Sequence, residues 1–193
     1  MSTTTVAVRH NFETAHRLPH LDGKCQSVHG HSWWAELTLD APYDPETGTV
    51  VEFGAAKARV RRWIDQYLDH GVMLGHRDEL ADVLPTYGCK VYRFGADNPS
   101  AGLPWPTVEN VATLLARVGD QVLGDLGARV TRCLVIETHV NAATWTRPAD
   151  PPPTTTVVNM TPPGVVVHTN PSPSNTAAAA HLVNRSAHRG GQW

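Results

Sequence analysis

The sequence predicts an α+β domain, an antiparallel four-stranded sheet with two helices on one face. Three observations carry this. Two long runs, 4–17 and 27–41, alternate apolar and polar residues. Two later segments, 55–69 and the stretch opening at Pro106-Thr107, carry apolar stripes at helical spacing. Two further apolar-rich strands, 129–138 and about 142–146, close the patterned part of the chain.

In an extended strand alternate side chains share a face. Val6, Val8, His10, Phe12 and His16 fall together on the first strand, and His29, His31, Trp33, Ala35, Leu37 and Leu39 on the second. A loop around Pro19, Asp22 and Gly23 joins them, and a turn at 45–48 leads into a short strand over 49–53. The first helix follows, its stripe made of Ala56, Val60, Trp63, Ile64, Tyr67 and Leu68. Residues 71–105 hold Pro85, Gly88, Gly95, Pro99 and Pro104 and read as irregular, with room for a short helix near 77–83. Thr107 can cap the second helix, whose stripe is Val108, Val111, Leu115, Val118 and Val122. From Arg147 the pattern stops. The proline run at 151–153, the threonines at 154–156 and the alanines at 177–180 bury too little apolar surface to repay ordering. The expected organisation is a domain over 1–146 and a disordered tail over 147–193, whose His168, His181 and His188 are too scattered for a metal tract.

Composition excludes several classes. Sixteen basic against eighteen acidic residues give a formal charge of −2, so no broad electrostatic case for nucleic acid exists. No apolar run approaches the ~20 residues of a membrane helix, and the N-terminus lacks the apolar core of a signal peptide. Cys25, Cys89 and Cys133 form no CxxC motif and cannot all pair with one another; the expectation is a cytoplasmic protein with a free thiol at Cys25.

The chemistry concentrates in Cys25-Gln26-Ser27-Val28-His29-Gly30-His31, with His16 upstream. All three histidines project from apolar faces, where an unpaired polar group costs about 1–3 kcal/mol. Three neutral nitrogens around one cation relieve that cost together, and a three-histidine set with an open fourth position is the usual catalytic zinc site. Each histidine could instead be a hydrogen-bonded core residue. His10 shares the face of His16, and parity does not choose between them. His20 and His76 read as surface residues in loops. Asp69-His70 ends the first helix, as a plain cap or as an oriented proton shuttle. Glu137 ends an apolar strand, where its carboxylate is either frayed into water or met by a ligand's donors. Glu109, in the first turn of the second helix, suits the helix dipole.

His16, Cys25-x3-His29-Gly30-His31, Leu68-Asp69-His70, Pro106-Thr107-Val108-Glu109-Asn110 and Glu137-Thr138 stand in an order and spacing that resembles the 6-pyruvoyltetrahydropterin synthase/6-carboxytetrahydropterin synthase superfamily over roughly 5–146. The three-residue gap between Cys25 and His29 is similar to the carboxy branch. The resemblance implies the tunnelling fold (T-fold), a homo-oligomeric barrel with pterin pockets at subunit interfaces. It implies Zn2+ on His16, His29 and His31, and a catalytic group of Cys25, Asp69 and His70. Glu137 would anchor the pterin, and Thr107 and Glu109 would line the same pocket. It further implies a small-molecule substrate, 7,8-dihydroneopterin triphosphate, and a product, 6-carboxy-5,6,7,8-tetrahydropterin, that feeds queuosine and other 7-deazapurines. Arg17 and Lys24 are candidate triphosphate cations or ordinary surface charges. Two departures stand out: Glu52-Phe53, where relatives have Asp-Phe, and the long 71–105 insert.

Rival readings are the pyruvoyl activity on the same substrate, a non-catalytic zinc module, and a cupin-type metal barrel. Gly23-x5-His29-x-His31-x4-Glu36 matches most of the first cupin motif, but Tyr43 stands at its closing glycine and no second motif follows. A TIM-barrel hydrolase would need ~250 residues.

Overall fold

The computed structural model describes residues 4–150, so the expected tail lies, from Pro151 onward, outside the described residues. Six strands, β1 (Val6–His16), β2 (His29–Asp40), β3 (Gly71–Gly75), β4 (Val91–Phe94), β5 (Arg129–Ile136) and β6 (Ala142–Thr146), accompany three helices, α1 (Phe53–Tyr67), α2 (Leu80–Val83) and α3 (Val108–Leu123). β1 and β2 make a long antiparallel hairpin in which Val6 faces Leu39 and His16 faces His29. Burial alternates along both, with Val8, Phe12, Thr14 and His16 inside on one strand and Trp33, Ala35, Leu37 and Leu39 on the other. The parity read from the sequence therefore holds, and it delivers His16, His29 and His31 to one end of one face.

α1 and α3 cover that face. Ala56, Val60 and Ile64 of α1 and Val111, Leu114, Leu115 and Val118 of α3 pack with Phe12, Trp33, Leu37, Cys133 and Val135 into the main core. On the opposite face Glu36 pairs with Arg9 and Arg132, and Trp34 and Ile136 remain partly open.

Three expectations need correction. No strand forms over 49–53: Asp44 and Thr49 make a single bridge, and the chain turns directly into α1. Glu52 is the reason, since its carboxylate accepts the Gly54 and Ala55 N–H groups at 2.6 and 2.5 Å and so caps the helix.

The 71–105 segment is structured. β3 runs parallel to β1 over Thr14–His16, and β4 parallel to β3, giving a mixed six-stranded sheet in the order β4-β3-β1-β2-β5-β6. The expected four-stranded antiparallel sheet is its β1-β2-β5-β6 portion. β3 shows no alternation because both its faces are buried. Met73 enters the main core, while Val72 and Leu74 pack with Ala81 of α2 in a separate cluster. Ala15, opposite in parity to His16, joins that second cluster. Helices therefore lie on both faces, α2 opposite to α1 and α3.

Third, ordered pairing runs past residue 146. The Arg147 N–H donates to the Thr131 carbonyl at 2.9 Å, and its guanidinium reaches the Val130 carbonyl and Asp120. Among the described residues no helix is long and apolar enough to cross a membrane.

Candidate metal centre

The hairpin register sets the first distance of the site. His16 and His29 are cross-strand partners with ring centroids 4.6 Å apart, and His31, two residues on, lies 5.2 Å from His16 and 4.9 Å from His29. One ring nitrogen from each falls within 4.8 Å of the others. His10, six residues up β1, is roughly 20 Å away along the strand and meets Asp65 of α1 at 3.3 Å. Geometry thus separates the two histidines that parity left together.

Hydrogen bonds fix which nitrogens face inward. His16 Nδ1 donates to the Pro106 carbonyl at 2.9 Å, and His29 Nδ1 donates to the Ser27 carbonyl at 2.8 Å. A carbonyl only accepts, so each Nδ1 carries the hydrogen and each Nε2 of the neutral ring presents a lone pair. The buried Nε2 atoms of His16 and His31 have no hydrogen-bond partner among the described residues. Burial pulls the His16 pKa down to about 4 against the opposing effect of the Pro106 carbonyl, with His29 and His31 adding to the fall. Burial also lowers His31, against the nearby Glu137 charge. Both rings are neutral at pH 7, the form that binds a cation. Two orphaned buried nitrogens within a set of three imidazoles fit a divalent ion with zinc's ligand preference.

The backbone on either side of Pro106 is itself held. The Thr107 N–H and the Asn110 side-chain amide both donate to the Trp105 carbonyl, at 2.9 and 2.8 Å. The Asn110 N–H donates to Thr107 Oγ1 at 3.3 Å, so Thr107 caps α3 as expected. The Trp105 ring stacks on His20 with centroids 4.5 Å apart. His20 is exposed, as expected of a surface residue, and its ring covers Trp105. His76 also departs from a surface reading: it is half-buried, and Nδ1 donates to the Phe94 carbonyl at 3.1 Å.

Glu137 follows β5 directly, with its N–H on the Asn141 carbonyl at 3.0 Å. Its Oε1 lies 3.4 Å from His16 Nε2 and 4.0 Å from His31 Nε2, with the side chain largely buried. Cys25 is free and exposed in a short turn at Lys24–Gln26 that folds back on β1, where the Leu18 N–H donates to the Cys25 carbonyl at 2.7 Å. Cys133 is inert by contrast: burial pushes its thiol up to about 12.

Asp69 and His70 form a preset pair. Asp69 Oδ1 accepts the Glu13 N–H at 2.8 Å, its Oδ2 accepts His70 Nδ1–H at 2.8 Å, and the His70 N–H donates to the Glu13 carbonyl at 2.7 Å. Burial works to raise the Asp69 pKa, but the Glu13 N–H and the His70 bond outweigh it and hold the carboxyl below its usual value. His70 sits at φ 54°, a strained backbone for a residue with a Cβ, and its ring is 79% exposed. Its anchor, Glu13, is three residues up β1 from His16, roughly 10 Å, and on the opposite strand face. Among the described residues no hydrogen bond joins Asp69 or His70 to Cys25 or to the three histidines.

Glu109 is exposed in the first turn of α3, and Lys24 is exposed beside Cys25. Arg17 is not a free cation: Nε and Nη2 grip the buried Asp78 carboxylate at 2.7 and 2.5 Å.

Comparison with known proteins narrows the chemistry. Residues 5–148 match the family model described as 6-pyruvoyl tetrahydropterin synthase. The 6-carboxy-5,6,7,8-tetrahydropterin synthase of Rickettsia bellii is 34% identical over 106 residues, covering 54% of this chain and 71% of the relative. The protein of that name from Haemophilus influenzae is 25% identical over 109 residues, covering 54% and 74%. Among solved structures, the Caenorhabditis elegans 6-pyruvoyl tetrahydropterin synthase superposes with a TM-score of 0.54 at 21% identity, over 77% of this chain and all but 2% of that one (98%). The Plasmodium vivax enzyme does so at 0.57 and 18%, over 76% and 99%. At these identities the structural likeness shows a shared fold.

Proposed function

Because this chain belongs to the 6-pyruvoyl tetrahydropterin synthase family, we propose that it is a zinc-dependent 6-carboxy-5,6,7,8-tetrahydropterin synthase. Its substrates are 7,8-dihydroneopterin triphosphate and one water, and triphosphate and acetaldehyde leave. The observation that carries this reading is the convergence of His16, His29 and His31 on one point, with Cys25 four residues before His29. The name shared by the relatives from Rickettsia bellii and Haemophilus influenzae supports the carboxy product. The product serves 7-deazapurine synthesis, queuosine included.

His16, His29 and His31 would hold the zinc, which when bound supplies Lewis-acid polarisation to the hydroxyl-bearing carbons of the substrate side chain. Cys25 acts as thiolate and removes a side-chain proton. His70 relays protons through Nε2, its Nδ1–H being held by Asp69. Glu137 accepts hydrogen bonds from the pterin 2-amino group and ring N–H, and Thr107 and Glu109 line the same pocket. Since no hydrogen bond joins Asp69 or His70 to Cys25 among the described residues, a second copy supplies them, and the working form is a homo-oligomer. The partly exposed Trp34 and Ile136, on the face opposite α1 and α3, support such an assembly.

Purified protein given 7,8-dihydroneopterin triphosphate should yield acetaldehyde and the mass of the carboxy product. Cys25→Ala should keep its metal and lose about 10²–10⁴-fold in turnover, the range for a missing acid–base group. A pyruvoyl product without acetaldehyde would move the assignment to the sister activity, the one that the Caenorhabditis elegans and Plasmodium vivax names carry. Full activity of Cys25→Ala would refute the thiol's role.

A further inference from the structure

We infer that Glu137 is the fourth metal ligand of the resting site and gives up that position when the pterin binds. The inference rests on the metal centre proposed above and adds a second task to the pterin-anchoring carboxylate.

Distance is the first argument. Around a tetrahedral zinc with bonds of about 2.0–2.1 Å, neighbouring donor atoms stand ~3.3–3.4 Å apart. Glu137 Oε1 is 3.4 Å from His16 Nε2 and 4.0 Å from His31 Nε2. Both separations lie within the 4.8 Å that bounds the histidines' own ligand atoms. The carboxylate lies within ligand reach of two of the three imidazole nitrogens, and a side-chain rotation toward His29 completes the set.

Polarity is the second. Neither contact is a hydrogen bond, for His16 Nε2 and His31 Nε2 are both without a partner among the described residues. The His16 ring hydrogen is committed to the Pro106 carbonyl on the far side, so a lone pair confronts a carboxylate oxygen across 3.4 Å. Two electron-rich atoms so close in a largely buried site repel unless a cation lies between them. A divalent ion turns that repulsion into two coordinate bonds.

The third argument concerns freedom of movement. The Glu137 backbone is fixed in the turn between β5 and β6, where the Glu137 and Thr138 N–H groups both donate to the Asn141 carbonyl, at 3.0 and 3.3 Å. Rotation about side-chain bonds alone must carry the carboxylate between ion and substrate. A pterin offering two N–H donors competes for the same oxygens, so its arrival vacates the fourth position for the substrate's side chain.

The test needs no turnover. Wild type, Glu137→Ala, Glu137→Gln and His16→Ala are stripped of metal. Each is titrated with Zn2+ against a chromophoric chelator, and its Co2+ form is examined by visible absorption. Circular dichroism checks folding, and the near-isosteric Glu137→Gln keeps the test open if the alanine variant misfolds. Glu137→Ala should bind Zn2+ at least about tenfold more weakly, since even an outer-sphere partner is worth 10–100-fold, and its Co2+ spectrum should change. Neopterin added to wild-type Co2+ protein should move the spectrum toward that of Glu137→Ala. Unchanged Co2+ spectra in both Glu137 variants would overturn the inference while leaving the three-histidine centre intact. Undiminished Zn2+ affinity in His16→Ala would remove the centre itself.

Discussion

Replacing Arg17 with methionine would strip the partner from a carboxylate that has no access to water. The Asp78 side chain is fully buried and takes the Arg17 guanidinium at 2.7 and 2.5 Å together with the Leu80 N–H at 3.0 Å. Arg17 follows His16 on the chain and Asp78 lies in the turn between β3 and α2, so the pair fastens the 71–105 insert beside the three-histidine cluster. Removing one partner of a buried ion pair costs about 3–5 kcal/mol, and the surviving Leu80 donor places this case near 3. At ~2–4 °C per kcal/mol for a domain of this size, the melting temperature falls by roughly 6–12 °C. Asp78→Asn should be milder, about 1–2 kcal/mol, because Arg17 can turn to solvent. Burial works to raise the Asp78 pKa, but the Arg17 hydrogen bonds and charge outweigh it and hold the carboxyl below its ordinary value. A depressed folded pKa means the stabilisation is present above the unfolded value of about 3.9 and is lost as pH falls through the folded one. The gap between the melting curves of wild type and Arg17→Met should therefore be widest at pH 7 and narrow only as the pH falls below about 3.9. An Arg17→Met protein that melts with wild type at pH 7 yet shows a raised KM would refute this reasoning and make Arg17 a substrate cation.

Other expectations are as direct. His10→Ala should keep a full metal complement by elemental analysis, because Asp65 already engages that ring, while His16→Ala should lose it. His70→Asn should melt with wild type, since asparagine tolerates the left-handed backbone at φ 54°, yet turn over about 10²–10⁴-fold more slowly. Gly75→Ala would set a Cβ 2.5 Å from the Trp105 ring and 2.7 Å from the Pro104 carbonyl. It should cost about 1–3 kcal/mol in urea denaturation; unchanged stability would mean that Trp105 moves freely.

The legible parts of the chain were those with a period. Alternation from Val6 to His16 and from His29 to Leu39 had to place the histidines on the core face, because a one-residue slip would expose Phe12 and Trp33. Choosing His16 over His10 required the register of the hairpin, which parity does not contain. β3 stayed hidden because Val72-Met73-Leu74 is buried on both sides and so has no pattern to read. The grip of Asp78 on Arg17 spans 61 positions, and neither residue type signals it. Pro106 contributes a backbone carbonyl, which no side-chain motif announces. Asp69 and His70 were recognisable as a pair, but their attachment to Glu13 of β1 belongs to the sheet geometry.

The three imidazoles all belong to one hairpin, whereas the carbonyl that turns His16 lies 90 positions downstream. Hairpins close in about 1–10 μs, and contacts distant in the chain form later. The three imidazoles can thus meet before the carbonyl that fixes the His16 tautomer arrives. Docking of the segment that leads into the third helix then settles which His16 nitrogen faces the other two rings, so clustering and alignment are separate steps.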